Sequence, residues 1–434
     1  MSESTPDKYG FLSFILNLKG EEYIKDRFCF AGTFIFALNI IMGGSPNTTT
    51  APAATTEDQD SSATASLARR VITRITGGGI VVGGSSSSGN NNAPESGTYV
   101  RRAHHAGSWY SSNTKQLNTT LGRYLSDAEE DLTNNPPVPG GNGMPRGIIS
   151  PHAGYDYSGP SAAFSYLALK EYLTARAGTQ QDTTIVVLHP SHHVYLSGAA
   201  VSGATVIQTP LGNLCVDDHL RQSLVKTGKF STMEQHVDEA EHSGEMQYPY
   251  MAKVINDVVG GGDCSTSFHV KVLPIMIGAT STSQEQKFGR ILAPFLAQPH
   301  VFTVVSSDFC HWGKRFSYYP HLSTNPDDGS PFNQIADYIE WLDRKGMTKI
   351  EMQNPGAFAT YLKEHSNTIC GRHPIAVWLE SVAANGQSGS ERVNVAFVKY
   401  DQSSRVSTVD ESSVSYASAV ARLATATVAT TEHS

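Results

Sequence analysis

Residues 146–159 read RGIISPHAGYDYSG: a short apolar run, a proline, a histidine, and then glycines and tyrosines. An isoleucine-rich run without alternation suits a strand buried on both faces, as strands of a parallel sheet are. The proline ends the run, so the polar residues fall in a loop just past the strand's carboxyl end. The same order recurs where 183–188 is followed by HPSHHV and 301–306 by SDFCHWG. Residues 270–277 and 393–400 are further strand candidates, and helix-like stretches lie around 161–173, 216–226, 245–256, 284–296, 333–345 and 374–384. This alternation predicts an α/β fold with one central, mostly buried sheet flanked by helices.

Open α/β sheets bind ligands outside the carboxyl ends of their strands, so the three loops should converge on one crevice. They carry His152, His192, His193, Asp308, Cys310 and His311, and a separate segment, NTICGRHP, adds Cys370, Arg372 and His373 ahead of a helix. Imidazoles, a thiol and a carboxylate drawn from distant stretches suit a metal site assembled by the fold. That donor set favours iron, copper or zinc over magnesium or calcium. Arg372, His373 and the positive end of a helix starting near Pro374 favour a thiolate at Cys370, as nucleophile or as ligand. Cys310 reads as a small apolar core residue.

In DEAEHSGEMQYPY, Glu241, His242 and Glu245 open a helix. No second histidine follows four residues after His242, which excludes the HExxH zinc motif; Glu241 and His242 suit the orientation of a ligand histidine instead. AHHAGSWY contributes His105, Ser108, Trp109 and Tyr110, with Gly107 for the turn and Trp109 as a flat pocket wall. There is no GxSxG elbow, Walker loop or GxGxxG in a strand-to-helix context, so serine hydrolases, nucleotide hydrolases and dinucleotide-dependent dehydrogenases are disfavoured.

The chain has 434 residues with a net charge of −8 and no basic stripe, which argues against nucleic acid as a partner. Cys29, Cys215, Cys264, Cys310 and Cys370 form no CxxC pair, so a reducing compartment is expected. The first 97 residues contain no histidine, and residues 45–97 are dominated by Gly, Ser, Thr and Asn. Such a stretch buries too little apolar area to offset its ordering entropy and reads as a disordered linker with one basic amphipathic turn at LARRVITRI. Upstream, 28–42 is an uncharged apolar run shorter than the roughly 20 residues of a membrane span. It suits an anchor or targeting signal, a surface-packed element or an extended gene start.

HHAGSWY, SPHAGYDYSG, HPSHHV, EHSGEMQYPY, VVSSDFCHWG, NTICGRHPI and DESSVSYAS together resemble the Memo family, mediators of ErbB-driven cell motility, in the family order. The resemblance implies a Memo-like domain over 98–423, between a low-complexity extension, 1–97, and a flexible tail, 424–434. It also implies a fold like that of class III extradiol dioxygenases, with a metal cleft at one edge of the sheet. His152, His192 and Cys370 fall on the family's metal ligands, and Asp308 and His311 border the cleft as catalytic candidates. Trp109, Tyr157 and His311 match residues implicated in binding a phosphotyrosine peptide, and His105, His193 and Arg372 join them in lining the cleft. His189 stands where the family commonly has glycine, adding an imidazole.

The implied cofactor is copper or iron, with zinc less favoured, and the implied activity is copper-dependent oxidation by oxygen. A thiolate replaces the carboxylate of ring-cleaving dioxygenases, so ring cleavage does not carry over. The alternative is a non-enzymatic signalling adaptor that docks phosphotyrosine peptides in the same cleft; a zinc hydrolase ranks below both. The folded domain is expected in the cytoplasm, with the nucleus also compatible, and a membrane is a partner only if 28–42 anchors the chain.

Overall fold

The computed structural model describes residues 99–135, 143–177, 179, 181–260, 270–387 and 392–424. The expected 1–97 extension, its 28–42 run and basic turn, and the tail beyond Ala424 lie outside these residues. Among the described residues, twelve strands join one sheet. They are β1 (Tyr99–Arg101), β2 (Pro145–Ser150), β3 (Thr183–Pro190), β4 (Ala199–Val201), β5 (Ala204–Thr209), β6 (Gly212–Val216), β7 (Phe230–Thr232), β8 (Val270–Ile277), β9 (Val301–Ser306), β10 (His311–Trp312), β11 (Val393–Gln402) and β12 (Ser413–Leu423). The helices are α1 (Thr114–Asn134), α2 (Tyr155–Ala177), α3 (Asp218–Lys226), α4 (Gln235–Ala240), α5 (His242–Glu245), α6 (Tyr248–Val259), α7 (Thr282–Leu296), α8 (Ile335–Glu351), α9 (Pro355–His365) and α10 (Arg372–Gln387).

The centre of the sheet is parallel: β3 lies between β8 and β9, and β9 pairs in turn with β2. Every residue of β2, β3 and β9 is buried, as the unbroken apolar runs require. Helix α2 covers β2 and β12 with α1 and α6 beside it, while α7 and α10 pack together over β3 and β9. The sheet therefore lies between helical layers. Three neighbouring strands end at one edge, and the loops that follow β2, β3 and β9 are the histidine-bearing loops.

All five strands expected from the sequence are present. Strand β12 was not expected: SVSYASAVARL is mostly small residues, yet it is buried between β2 and β11 and pairs antiparallel with both. Small side chains fit there because α2 lies close, with the Ser418 hydroxyl donating to the Ser161 carbonyl at 2.7 Å. Helix α1 was also missed, although Leu117, Leu121 and Leu125 form a buried i, i+4, i+8 stripe and the Asn113 side chain caps its first turn.

Candidate metal centre

His152 sits two residues beyond β2, and its ring state is set by a buried chain of hydrogen bonds. The Tyr166 hydroxyl donates to Gln247 Oε1 at 2.8 Å, which leaves Gln247 Nε2 to donate to Ser306 Oγ at 2.9 Å. Ser306 gives its own proton to the Ser243 carbonyl, 2.8 Å away. Ser306 Oγ can then only accept from His152 Nδ1, at 2.9 Å. The proton is therefore on Nδ1 and the lone pair on Nε2, which is buried and has no hydrogen-bond partner. Burial, reinforced by the nearby His192 and His242, holds the imidazole pKa well below its ordinary value, so the ring is neutral.

The second imidazole follows the same logic. His192 donates from Nδ1 to Glu241 Oε1 at 2.8 Å and from its backbone N–H to Oε2 at 2.6 Å. Glu241 also accepts from the Ser243 N–H at 3.0 Å and hydroxyl at 2.7 Å. Burial opposes ionisation of Glu241, but His192 and His242 outweigh it and hold the carboxyl well below the usual carboxylate range. His192 Nδ1 is accordingly the donor to the carboxylate, which leaves Nε2 as the atom available to a ligand. A carboxylate behind a histidine in this way fixes the ring and raises its basicity toward a metal.

Cys370 supplies the thiol from the turn that leads into α10. One ligand atom from each of His152, His192 and Cys370 lies within 4.8 Å of the other two. Gly371 makes the approach feasible: a Cβ there would sit 2.5 Å from the Ser306 carbonyl oxygen and 2.6 Å from Ser307 Oγ. The imidazole beside the thiol is His311, whose Nε2 and Nδ1 are 3.6 and 3.7 Å from Cys370 Sγ. His373, expected to favour the thiolate, instead binds Glu285, with Nδ1 2.6 Å from Oε1. Asp308 is buried, accepts from the His152 N–H at 2.7 Å and reaches to 4.0 Å from His152 Nε2. Burial pushes its carboxyl pKa up.

The three clustered groups fit a soft metal: two imidazoles whose Nδ1 atoms are held by Ser306 and Glu241, and a thiol, with the His152 Nε2 lone pair left without a partner. A buried polar atom without a partner calls for an explanation, and a bound cation is a direct one. A second group of donors, His192, Glu241 and His242, also falls within 4.8 Å. There Glu241 is already committed to His192 and Ser243.

His242 stacks instead. Its ring lies 4.4 Å from Trp109 on one side and 4.5 Å from His192 on the other. Burial pushes its pKa well down, with His192 adding to the shift. His105 meets Trp109 edge-on at 5.8 Å, and its Nδ1 is 3.1 Å from Glu245. Glu245 is braced in turn by buried Arg101, 2.7 Å away. His193 packs edge-on to His242 at 5.7 Å.

Trp109 and Tyr157 are exposed, at 37% and 65%. Arg372 is half-buried at the start of α10. Cys310 is fully buried in the core. The additional imidazole, His189, turns away from the donor group: its Nδ1 is 3.0 Å from the Pro190 carbonyl and 3.2 Å from Ser243 Oγ. Sequence reasoning passed over Ser306, Gln247 and Gly371. A serine closing an otherwise apolar strand, VFTVVS, was the available signal for Ser306; nothing local marks Gln247.

Fold and site define an α/β protein with a partly buried His–His–Cys donor group at the carboxyl edge of a parallel sheet. The chain belongs to the Memo-like family, whose model, described as Memo-like protein, matches residues 101–420. Protein MEMO1 of Danio rerio is 41% identical over 317 residues, covering 73% of this chain and 95% of that protein. Protein MEMO1 of Homo sapiens is 40% identical with the same coverage. The Protein memo-1 homolog of Caenorhabditis elegans is 37% identical over 324 residues, covering 75% of this chain and 83% of its own length. Among solved structures, the uncharacterized protein JW3007 from Escherichia coli K12 aligns with a TM-score of 0.34 at 14% identity, covering 57% of this chain and 91% of that one. Among the described residues no helix is long and apolar enough to cross a membrane.

Proposed function

We propose that the protein binds copper or iron through His152, His192 and Cys370 and carries out oxidase-type redox chemistry with oxygen. The observation that carries this reading is the orphaned His152 Nε2 within a group of donors whose tautomers are set for coordination. Two neutral imidazoles and a thiolate favour copper by the usual affinity order and suit its reduced state, with zinc behind. When bound, the metal would supply one-electron exchange with oxygen. The chain's own contributions are more specific. Glu241 and Ser306 hold the two rings, Asp308 takes up or releases a proton beside His152, and His311 exchanges one at the thiol. Trp109 and His242 wall the approach against bulk water.

The test is titration of metal-free protein and its Cys370→Ala variant with cuprous and ferrous ions. The variant should lose affinity by orders of magnitude while keeping its fold, since Cys370 is only half-buried; equal affinities would end the reading.

A second reading is supported by the exposed Trp109 and Tyr157. In it the cleft docks a phosphotyrosine peptide, with the Arg372 guanidinium facing the phosphate. That function predicts peptide affinity unchanged by chelation. Loss of peptide binding and oxidase turnover together on metal removal would contradict an independent adaptor site.

A further inference from the structure

Two of the site-bearing segments, 308–311 and 367–370, are joined to each other before they reach the cleft. His311 donates its N–H to Thr368 Oγ1 at 2.8 Å, and the Thr368 hydroxyl returns a bond to the His311 carbonyl at 2.9 Å. Cys370 donates its N–H to the Asp308 carbonyl at 3.2 Å. These bonds set the Cys370–His311 approach.

Behind them, on α8, lies a carboxylate that belongs to no ion pair among the described residues. Asp343 is fully buried, and its Oδ1 accepts both from the Cys310 N–H at 3.2 Å and from Asn367 Nδ2 at 2.8 Å. One oxygen thus holds both segments. Oδ2 accepts from the Tyr400 hydroxyl at 3.0 Å. Asn367 is also fastened to the Tyr361 hydroxyl at 2.7 Å, and that hydroxyl donates to the Leu342 carbonyl beside Asp343. Burying a carboxylate among neutral donors is unfavourable, and burial pushes its pKa up to about 6. A carboxylate in so adverse a place invites a role beyond filling space.

We infer that Asp343 is a positioning residue that clasps the 308–311 and 367–370 segments together and so sets the placement of Cys370 against His311 and the donor group. It touches neither the cleft nor the donors and acts through Cys310 N–H and Asn367. This rests on reading Cys370 and His311 as site residues, but its first test needs no metal.

Amide hydrogen exchange is measured on the metal-free full chain and on Asp343→Ala, Asp343→Asn and Leu169→Ala. Asn has the same shape and keeps one acceptor oxygen, whereas Ala keeps none. Leu169 is a fully buried residue of α2, remote from the clasp in sequence and layer, and controls for a general loss of stability. The expected result is exchange of both segments faster by about tenfold or more in Asp343→Ala, near wild type in Asp343→Asn, and unchanged in Leu169→Ala beyond its global effect. In the second arm cobalt(II) is the probe. Asp343→Ala should bind it about 10- to 100-fold more weakly with a diminished thiolate-to-metal absorption band, and Asp343→Asn should restore both.

Should Asp343→Ala not fold, Asn367→Ala, which removes the bond to one segment only, should speed exchange at 367–370. Equal deprotection in Leu169→Ala, no rescue by Asn, or unaltered exchange at both segments would overturn the inference. If wild-type protein binds no copper or iron, the metal reading fails while the exchange result still decides this one.

Discussion

Replacing Gly371 by alanine should dislodge the thiol without touching a donor atom. The new Cβ would lie 2.5 Å from the Ser306 carbonyl oxygen and 2.6 Å from Ser307 Oγ, whereas ordinary contacts begin at 3.4 Å. The shortfall is close to 1 Å. Ser306 cannot yield it, because it is the last residue of β9 and is paired with Ser150 of β2 in the centre of the sheet. The turn carrying Cys370 must move instead. Metal–ligand distances tolerate only about 0.2 Å, so a shift near 1 Å is enough to uncouple Sγ from a metal held by the two histidines. Cuprous affinity, measured by competition with a chelator, should fall by about 100-fold or more, with a loss of about 1–3 kcal/mol in stability from overpacking. Gly386→Ala is the control, since a Cβ at that position of α10 meets nothing within 4 Å and alanine favours a helix. Affinity within about threefold of wild type in Gly371→Ala would refute the argument that this glycine sets the thiol.

Ser306→Ala should release the His152 tautomer and weaken copper binding by about tenfold, read in the same competition assay. Glu241→Gln keeps an acceptor for His192 Nδ1 but removes the negative charge and turns its NH2 onto the His192 backbone N–H, so metal affinity should fall by about 10- to 100-fold and the melting temperature should fall with it. Acidification should destabilise the metal-free protein. His152, His189 and His242 have pKa values below 6.5 in the fold, so under about pH 6.5 the unfolded chain binds protons that the fold refuses. Each such histidine contributes up to about 1.4 kcal/mol per pH unit, and His189→Gln should lessen the slope of stability against pH between roughly 6.5 and 5.5, measured by denaturant unfolding.

Where the sequence was readable, it was because burial on both faces leaves a plain mark. Strands β2, β3, β8 and β9 are runs of Ile, Val and Leu; the residues just past β2 and β3 carry the two histidine donors, and those past β9 carry Asp308 and His311. Strand β12 left no such mark, because a central strand pressed close against α2 takes serine and alanine in place of branched side chains. The short β4, β5, β6 and β7 at the far side were equally illegible, being set by pairing rather than by composition. At the site, the identities of His152, His192 and Cys370 came from the motifs, whereas their states did not. Whether His152 offers Nε2 depends on Tyr166 in α2 and on Ser243 and Gln247 far along the chain, and only the fold assembles that set. His189 illustrates the converse. Its place beside His192 in sequence suggested a further donor, but alternation along β3 turns it under Ser243 and Gly244.

The most direct measurement is an anomalous-difference map from crystals of the protein grown with cuprous or ferrous ion, collected on both sides of the metal's absorption edge. A peak bonded to His152 Nε2, His192 Nε2 and Cys370 Sγ is the expected result. A fully loaded metal bound elsewhere, with those three atoms left uncoordinated, would contradict it.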